Sequence, residues 1–437
     1  MSSVVSIAPS YGFRPGLPPA FRASRAALLL LMGVIYAGFL QFFIQVSPVL
    51  LYGTYAVIIG CITVCLFFDW RTSRNFNSVA PYLIWTLGYF IWGMLALSHE
   101  SAVISEGVKM YIKNILIIGA LAFALDRRTL KPFSQLLQIS AVGNFLLCVY
   151  EAANPELITQ IATTREAGAT AFDVLRPAGL WSNPDEASSA YIFSLLLTRW
   201  AGGRLAWFGG IAAVGGIFLG ASRTGALLLV LCGSGYAVHW LRRNRIDSAR
   251  LALICGALLL LACGAFVAVK VCGFDPSENW QIARMLDVTE KKHGAGEASR
   301  VYIAIESMRV ALNGPWCGFG LFTFQFHAQP EIPTIVDPPA HNIYIAVFGE
   351  AGALVGISYL VILGLGLRRV FQTPMSSEER LPVLLMWICY ILIGLTWHNE
   401  FTSFSGMIYV ALLWALPAAL KISPETRDGQ QGEVRIA

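Results

Sequence analysis

The sequence predicts an all-α polytopic membrane protein of about 12 transmembrane helices, each needing about 20 mostly apolar residues. Composition, a row of long apolar runs and the placement of positive charge all point there. Of the 437 residues, 56% are hydrophobic and only 13% charged, against about 25% charged in ordinary soluble domains. Mean hydropathy is +0.62. That balance excludes a soluble globular enzyme, a disordered chain and a nucleic-acid binder. Only seven of the 31 basic residues are lysines, which is not the footprint of an RNA-binding surface.

Residues 1–25 are polar and Pro/Gly-rich, carry Arg14, Arg22 and Arg25, and lack a small-residue cleavage site. They read as a cytoplasmic tail before a retained first helix. Apolar runs follow near 26–45, 50–68, 79–98, 109–126, 134–151, 187–200, 204–220, 225–241, 251–271, 342–367, 381–397 and 403–420. With the N-terminus inside, 20 of the 31 Lys and Arg residues fall in the tails and the alternate, cytoplasmic connectors, as the positive-inside rule requires. Both termini are therefore placed in the cytoplasm. Spans one to nine occupy 26–271, interrupted by an outer loop at 152–186. A second outer loop runs over 272–340, spans ten to twelve fill 341–420, and a polar tail covers 421–437.

The second loop should hold an amphipathic helix from Arg300 to Leu312, with Val301, Ile305, Met308 and Leu312 on one face. Ser299 would cap it and Asn313-Gly314-Pro315 would end it, followed by the turn Gly318-Phe319-Gly320. Most of the nine cysteines lie in apolar runs as small hydrophobes. Cys272 and Cys317 flank the loop and could pair in an oxidising compartment.

The informative residues are the basic ones on the outer side. Arg223 sits in the tight turn Gly220-Ala221-Ser222-Arg223-Thr224-Gly225, Arg176 in Leu175-Arg176-Pro177-Ala178-Gly179, and Arg300 opens the loop helix. An arginine near the hydrocarbon boundary needs an anionic partner. Three of them from separate segments could converge on a diphosphate, whose oxygens fit the guanidinium fork. Each could also be a snorkelling or salt-bridged side chain at the headgroup level. Lys109, Lys113, Arg165, Arg284, Lys291, Lys292 and Arg309 read as surface charges or headgroup contacts.

His341, in Asp337-Pro338-Pro339-Ala340-His341-Asn342, leads directly into a membrane helix. Histidine suits proton acceptance near neutral pH, though a capping or interfacial role fits the same position. His398-Asn399-Glu400 is a second candidate. Glu350 lies nine residues beyond His341, about half a turn away around the helix, so it reads as a structural partner to another helix. The chain has no Asp-x-Asp, His-Glu-x-x-His, Gly-Lys-Ser/Thr or Gly-x-Ser-x-Gly element. A metal- or nucleotide-dependent enzyme is disfavoured, and no cofactor or metal is expected.

Four elements together resemble the O-antigen ligase and polymerase superfamily of bacterial envelope glycosyltransferases. They are Arg176 with Gly179-Leu180-Trp181-Ser182-Asn183-Pro184; Ser222-Arg223-Thr224-Gly225; Ser299-Arg300 with Gly314-Pro315 and Gly318-Phe319-Gly320; and His341-Asn342 with Gly352. The resemblance spans about Arg176 to Leu367. It implies an inner-membrane enzyme that moves a glycan from an undecaprenyl-diphosphate-linked donor to a saccharide acceptor at the periplasmic face. The acceptor would be a repeat unit or lipid A core. His341 would be the general base, and Arg176, Arg223, Arg300 and Asn342 would bind substrate. Chain-length regulator and export proteins are conceivable partners; nucleic acid is not.

Family ligases follow His-Asn with nine residues, Gly, two residues, then Gly, Thr or Tyr. Here Val355 takes the last position and Gly356 comes one later. With the Arg176 element, that departure favours polymerisation of exopolysaccharide or O-antigen over ligation. A transporter or flippase for lipid-linked glycan is the competing class. Its sites would lie near the bilayer midplane, whereas these candidates cluster at the outer boundary.

Overall fold

The computed structural model describes residues 18–39, 48–68, 73–96, 101–154, 176–181, 183–243, 300–321, 323–324, 342–396 and 403–421. Among these residues every regular element is a helix. In order it forms α1 (Pro19–Tyr36), α2 (Pro48–Phe68), α3 (Ser73–Ala96), α4 (Ser101–Ala124), α5 (Arg127–Ala153), α6 (Pro184–Ala201), α7 (Gly203–Leu219), α8 (Arg223–Arg243), α9 (Arg300–Asn313), α10 (Ile343–Gln372), α11 (Ser377–Gly394) and α12 (Phe404–Ala419). Seven of these helices are long and apolar enough to cross a membrane, and α7 and α12 are shorter apolar helices. The ninth expected span, 251–271, lies outside the described residues, as do most of both long loops, His99, His293, His327, His341 and the His398-Asn399-Glu400 group.

The first helix departs from its expected bounds. It starts at Pro19, whose ring presets the helical φ in the first turn, and ends at Tyr36, with a turn at Ala37 and Gly38. That glycine has φ +85°, and a Cβ there would lie 2.5 Å from the Leu180 carbonyl oxygen. Residues 40–45 of the expected first run lie outside the described residues.

A helix that is apolar all round belongs in the interior or in lipid, and both cases occur. Every residue of α12 from Met407 to Leu416 is buried, with α1, α3, α4, α6, α10 and α11 packed around it. By contrast, α2 sits at the edge, with Val49 75%, Tyr52 65% and Phe67 83% exposed. Similar apolar surfaces on α3 (Ile84, Leu95), α7 (Trp207, Ile211) and α10 (Leu354, Val361) are far more than a soluble protein shows. This is a membrane protein.

The two ends of the bundle differ in chemistry. At one end Arg25 pairs with Asp126 at 2.7 Å and Arg127 with Glu379 at 2.8 Å, while Arg199 and Arg243 both pair with Glu378. Burial pushes the Asp126 carboxyl up, but Arg25 and amide hydrogen bonds from Thr129 and Arg128 outweigh it and hold it below its ordinary value. Glu378 is likewise lowered, chiefly by its hydrogen bond from Arg243. Asp126 also caps α5. This charged end gathers the arginines from connectors assigned to the cytoplasm. The opposite end carries the candidate site.

Candidate functional site

Segment 176–181, at the opposite end, is fastened by buried polar side chains. Glu151 near the end of α5 accepts from the amides of Ala178 (3.0 Å) and Gly179 (2.9 Å). Asn144 accepts from Leu180 N at 2.9 Å and donates to the Ala37 carbonyl at 3.0 Å. The Trp181 indole donates to Tyr36 O at 2.9 Å. Buried polar groups matched in this way hold a loop rigidly. Gly179 is needed for its φ of +62° and because a Cβ would lie 2.8 Å from Asn144 Oδ1. Asn183 then caps α6, accepting from the amides of Asp185 and Glu186. Glu186 is fully buried and receives a short hydrogen bond from Ser405 of α12.

Arg176 is 4% exposed. Its Nε donates to Gly220 O at 2.9 Å, and its Nη2 reaches Ala221 O at 3.4 Å and Asp185 Oδ1 at 3.5 Å. Asp185 also accepts from Ser222 Oγ (2.9 Å), which itself accepts from Gly225 N (3.1 Å). The guanidinium therefore braces the turn between α7 and α8 from behind. That turn includes Ala221 at φ +46°, a strained left-handed conformation for a residue with a Cβ. Immediately after it, half-buried Arg223 opens α8. The positive pole of a helix N-terminus adds to its charge, a ready anion site. Gly225 lets α8 approach α6, since a Cβ there would lie 2.7 Å from Ser188 Cβ.

From Arg223 the contacts lead to α10. Thr224 Oγ1 lies 3.5 Å from Thr396 Oγ1, just past α11. Near the end of α11, Ile391 O accepts from Tyr344 Oη at 2.7 Å, and Gly394 packs against Ile343 and Tyr344. Asn342 caps α10, its Oδ1 accepting from Tyr344 N (3.0 Å) and Ile345 N (3.1 Å). The starts of α8 and α10 thus flank the end of α11. His341 immediately precedes this cap and lies outside the described residues.

Helix α9 lies on the first turns of α10: Ala304, Met308 and Ala311 pack around Ile345 and Phe324. Its buried face differs from the expected one. Ile303 and Ser307 are buried, while Ile305 and Leu312 are 60% and 70% exposed. The residue spacing defines a helix equally well on either face, and small residues allow α9 to sit close to α10. Arg300 forms the first residue of α9 at this same end; its side chain is outside the described set. Lys113, expected as a surface charge, is buried.

The glycines of the last two motifs meet in space. Gly352 has φ +78° and breaks α10, freeing carbonyls that a continuous helix would engage. The Phe319 amide donates to Gly349 O and the Gly320 amide to Glu350 O, each at 2.8 Å, so the turn re-satisfies the broken helix as a membrane interior demands. A Cβ on Gly352 would lie 2.1 Å from Trp316 O, and one on Gly318 2.4 Å from Glu350 O. Past the break, the Phe348 ring lies over Gly356, which gives the displaced glycine at 356 a packing role and leaves Val355 against the core. Glu350 accepts from Tyr89 Oη of α3, a partnership with another helix.

Asp185 and Tyr89 are the residues that sequence reasoning missed. The acidic first turn after Asn183-Pro184 was the available signal for Asp185. Cys317 is a free, half-buried thiol, and Cys272 lies outside the described residues. Among the described residues no three His, Cys, Asp or Glu side chains gather as a metal site would need.

Residues 208–360 match the O-Antigen ligase family. The resemblance to the O-antigen ligase and polymerase superfamily is therefore established over about a third of the chain, a segment containing Arg223, Arg300, His341, Asn342 and Gly352. Arg176 lies outside the matched segment. No curated protein matches the chain.

Proposed function

We propose that the protein is a metal-independent, inverting glycosyltransferase of the bacterial inner membrane, with both termini cytoplasmic. It transfers an undecaprenyl-diphosphate-linked glycan to a saccharide acceptor at the periplasmic face, polymerising surface-polysaccharide repeat units. The observation that carries this reading is Arg223 at the start of α8, braced from behind by Arg176 and placed at the same end of the bundle as the Asn342 cap and the start of α9.

In this reading His341 takes the proton of the acceptor hydroxyl as its oxygen attacks the anomeric carbon. The bond to the diphosphate breaks with inversion, and the leaving group departs as lipid diphosphate. Arg223 and Arg300 bind its oxygens and stabilise the charge growing there. Arg176 acts through the 220–222 turn, holding Arg223 in place. Asn342 orients the start of α10 beside His341, and its amide nitrogen is offered to the acceptor. The donor is already activated, so the reaction needs neither nucleotide nor metal.

Ligation to lipid A core is the second reading, favoured by the family that matches residues 208–360. The displaced glycine at 356 and the Arg176 element favour polymerisation. Purified protein given lipid-linked donor and acceptor in detergent, without a gradient, should extend or transfer the glycan; no transfer would reject an enzymatic role. A deletion strain separates the two reactions. Single repeats on lipid A core, or loss of secreted polymer with intact lipopolysaccharide, indicate a lost polymerase. Long chains stranded on the lipid carrier indicate a lost ligase.

A further inference from the structure

Helices α8 and α11 run antiparallel and touch along their length. Outward from the charged end, Arg243 pairs with Glu378, a Cβ on Gly235 would lie 2.9 Å from Leu385 Cδ2, and Thr224 Oγ1 meets Thr396 Oγ1 at 3.5 Å. Each step back along α8 is matched by a step forward along α11, so one register holds from end to end. Cys232 and Cys389 fall on this register between Gly235–Leu385 and Thr224–Thr396, and their sulfur atoms lie 3.5 Å apart. Both side chains are buried. At 1.5 Å per residue the pair lies about 12 Å from Thr224 along α8, well beneath the candidate site. The transfer mechanism uses neither thiol.

Buried cysteines usually pack as small hydrophobes, and such packing does not require two sulfurs to meet. Cys148, equally buried, is turned towards the Tyr191 hydroxyl at 3.7 Å. Cys232 and Cys389 instead face one another from positions 157 residues apart. A disulfide has an S–S separation of about 2.0 Å, so the sulfurs must close by roughly 1.5 Å. Rotation of the two side chains about their Cα–Cβ bonds supplies that movement, because Gly235 against Leu385 already holds the helices together one turn away. Burial decides which oxidant can act. Water-soluble thiol reagents do not reach such a pair, whereas a small apolar two-electron acceptor dissolves in the same hydrocarbon. In the balanced step two S–H bonds break and one S–S bond forms. Two electrons and two protons pass to the acceptor, as when a quinone becomes a quinol.

We propose that Cys232 and Cys389 are a redox site, oxidised by a lipid-soluble two-electron acceptor to a disulfide that clamps α8 to α11. The clamp turns a contact between two helices into a fixed one, beneath the outer ends that carry Arg223 and Thr396. The test treats the purified full-length protein briefly with molecular iodine, which enters hydrocarbon and leaves as two iodides and two protons. Unfolding, labelling of the remaining thiols with N-ethylmaleimide and peptide mapping then read each cysteine. Labelling of Cys232 and Cys389 should be lost together, with a peptide joining the two, and dithiothreitol added to the unfolded protein should restore both labels. Closing so long a loop constrains the unfolded chain, so the thermal unfolding midpoint of the oxidised protein should rise by about 3 °C. Cys232→Ala should show neither the linked peptide nor that rise. Persistent labelling of both thiols, linkage of either to another cysteine, or an equal rise in Cys232→Ala would overturn the assignment.

Discussion

At Asn342 a helix cap and a substrate contact can be separated by chemistry. Its Oδ1 already accepts from two α10 amides, so Asn342→Ala should lower stability by about 1 kcal/mol. Asn342→Asp keeps the acceptor and removes the amide donor. Thermal unfolding should place Asn342→Asp near wild type, while its transfer rate falls if the amide nitrogen binds acceptor; equal rates would leave Asn342 as a cap alone. The position of Arg223 in its turn, and of Asn342 before its helix, could be read from neighbouring residues. The task of Arg176 could not. Its partners include the backbone carbonyls of Gly220 and Ala221, more than forty residues along the chain, and carbonyls carry no sequence signature. Charge pattern marked Arg176 as unusual, but only folding decides which way the guanidinium faces.

Among the elements, the broken helix α10 makes the sharpest demand. Gly352 combines φ +78° with a neighbouring carbonyl 2.1 Å from where a Cβ would be. Gly352→Ala therefore faces both backbone strain, about 1–3 kcal/mol, and collision with a backbone atom that cannot yield cheaply. Loss of the folded fraction by size-exclusion chromatography, with at least tenfold less transfer activity, is the expected result; a stable and active variant would contradict the observed docking of 316–320 on α10. Gly318-Phe319-Gly320 and Gly352 were visible as separate motifs, and their mutual contact was not. The helical nature of α9 was also legible, but its buried face was not. In water, apolar spacing reveals the inward face; in a membrane protein large apolar residues such as Ile305 and Leu312 are tolerated outside, so spacing loses that meaning.

For the whole molecule, apolar runs and the arginine bias anticipated the helical bundle and the gathering of basic connectors at one end. They did not reveal that those arginines pair with Asp126, Glu378 and Glu379, because ion pairing depends on helix neighbours distant in sequence. Asp126 and Glu378 have folded-state pKa values below their ordinary ones. Their contribution to stability is therefore complete above the unfolded carboxylate range near pH ~4 and disappears as pH falls through the lower folded values. Thermal unfolding in detergent should fall on acidification below about pH 4. Arg25→Ala and Arg243→Ala should each reduce stability at neutral pH and weaken its dependence on acid. A pH profile unaffected by both substitutions would show that the charged end does not depend on these pairs.

The central claim is that His341 and the arginines at one end of the bundle perform glycan transfer. Its most direct measurement is the single-turnover transfer rate of purified His341→Ala, with insertion and thermal unfolding matched to wild type, alongside Arg223→Ala. The account requires His341→Ala to abolish measurable transfer and Arg223→Ala to slow it by about 10²–10³, the loss typical of removing one charge-stabilising donor. Wild-type transfer by a properly folded His341→Ala protein would contradict it.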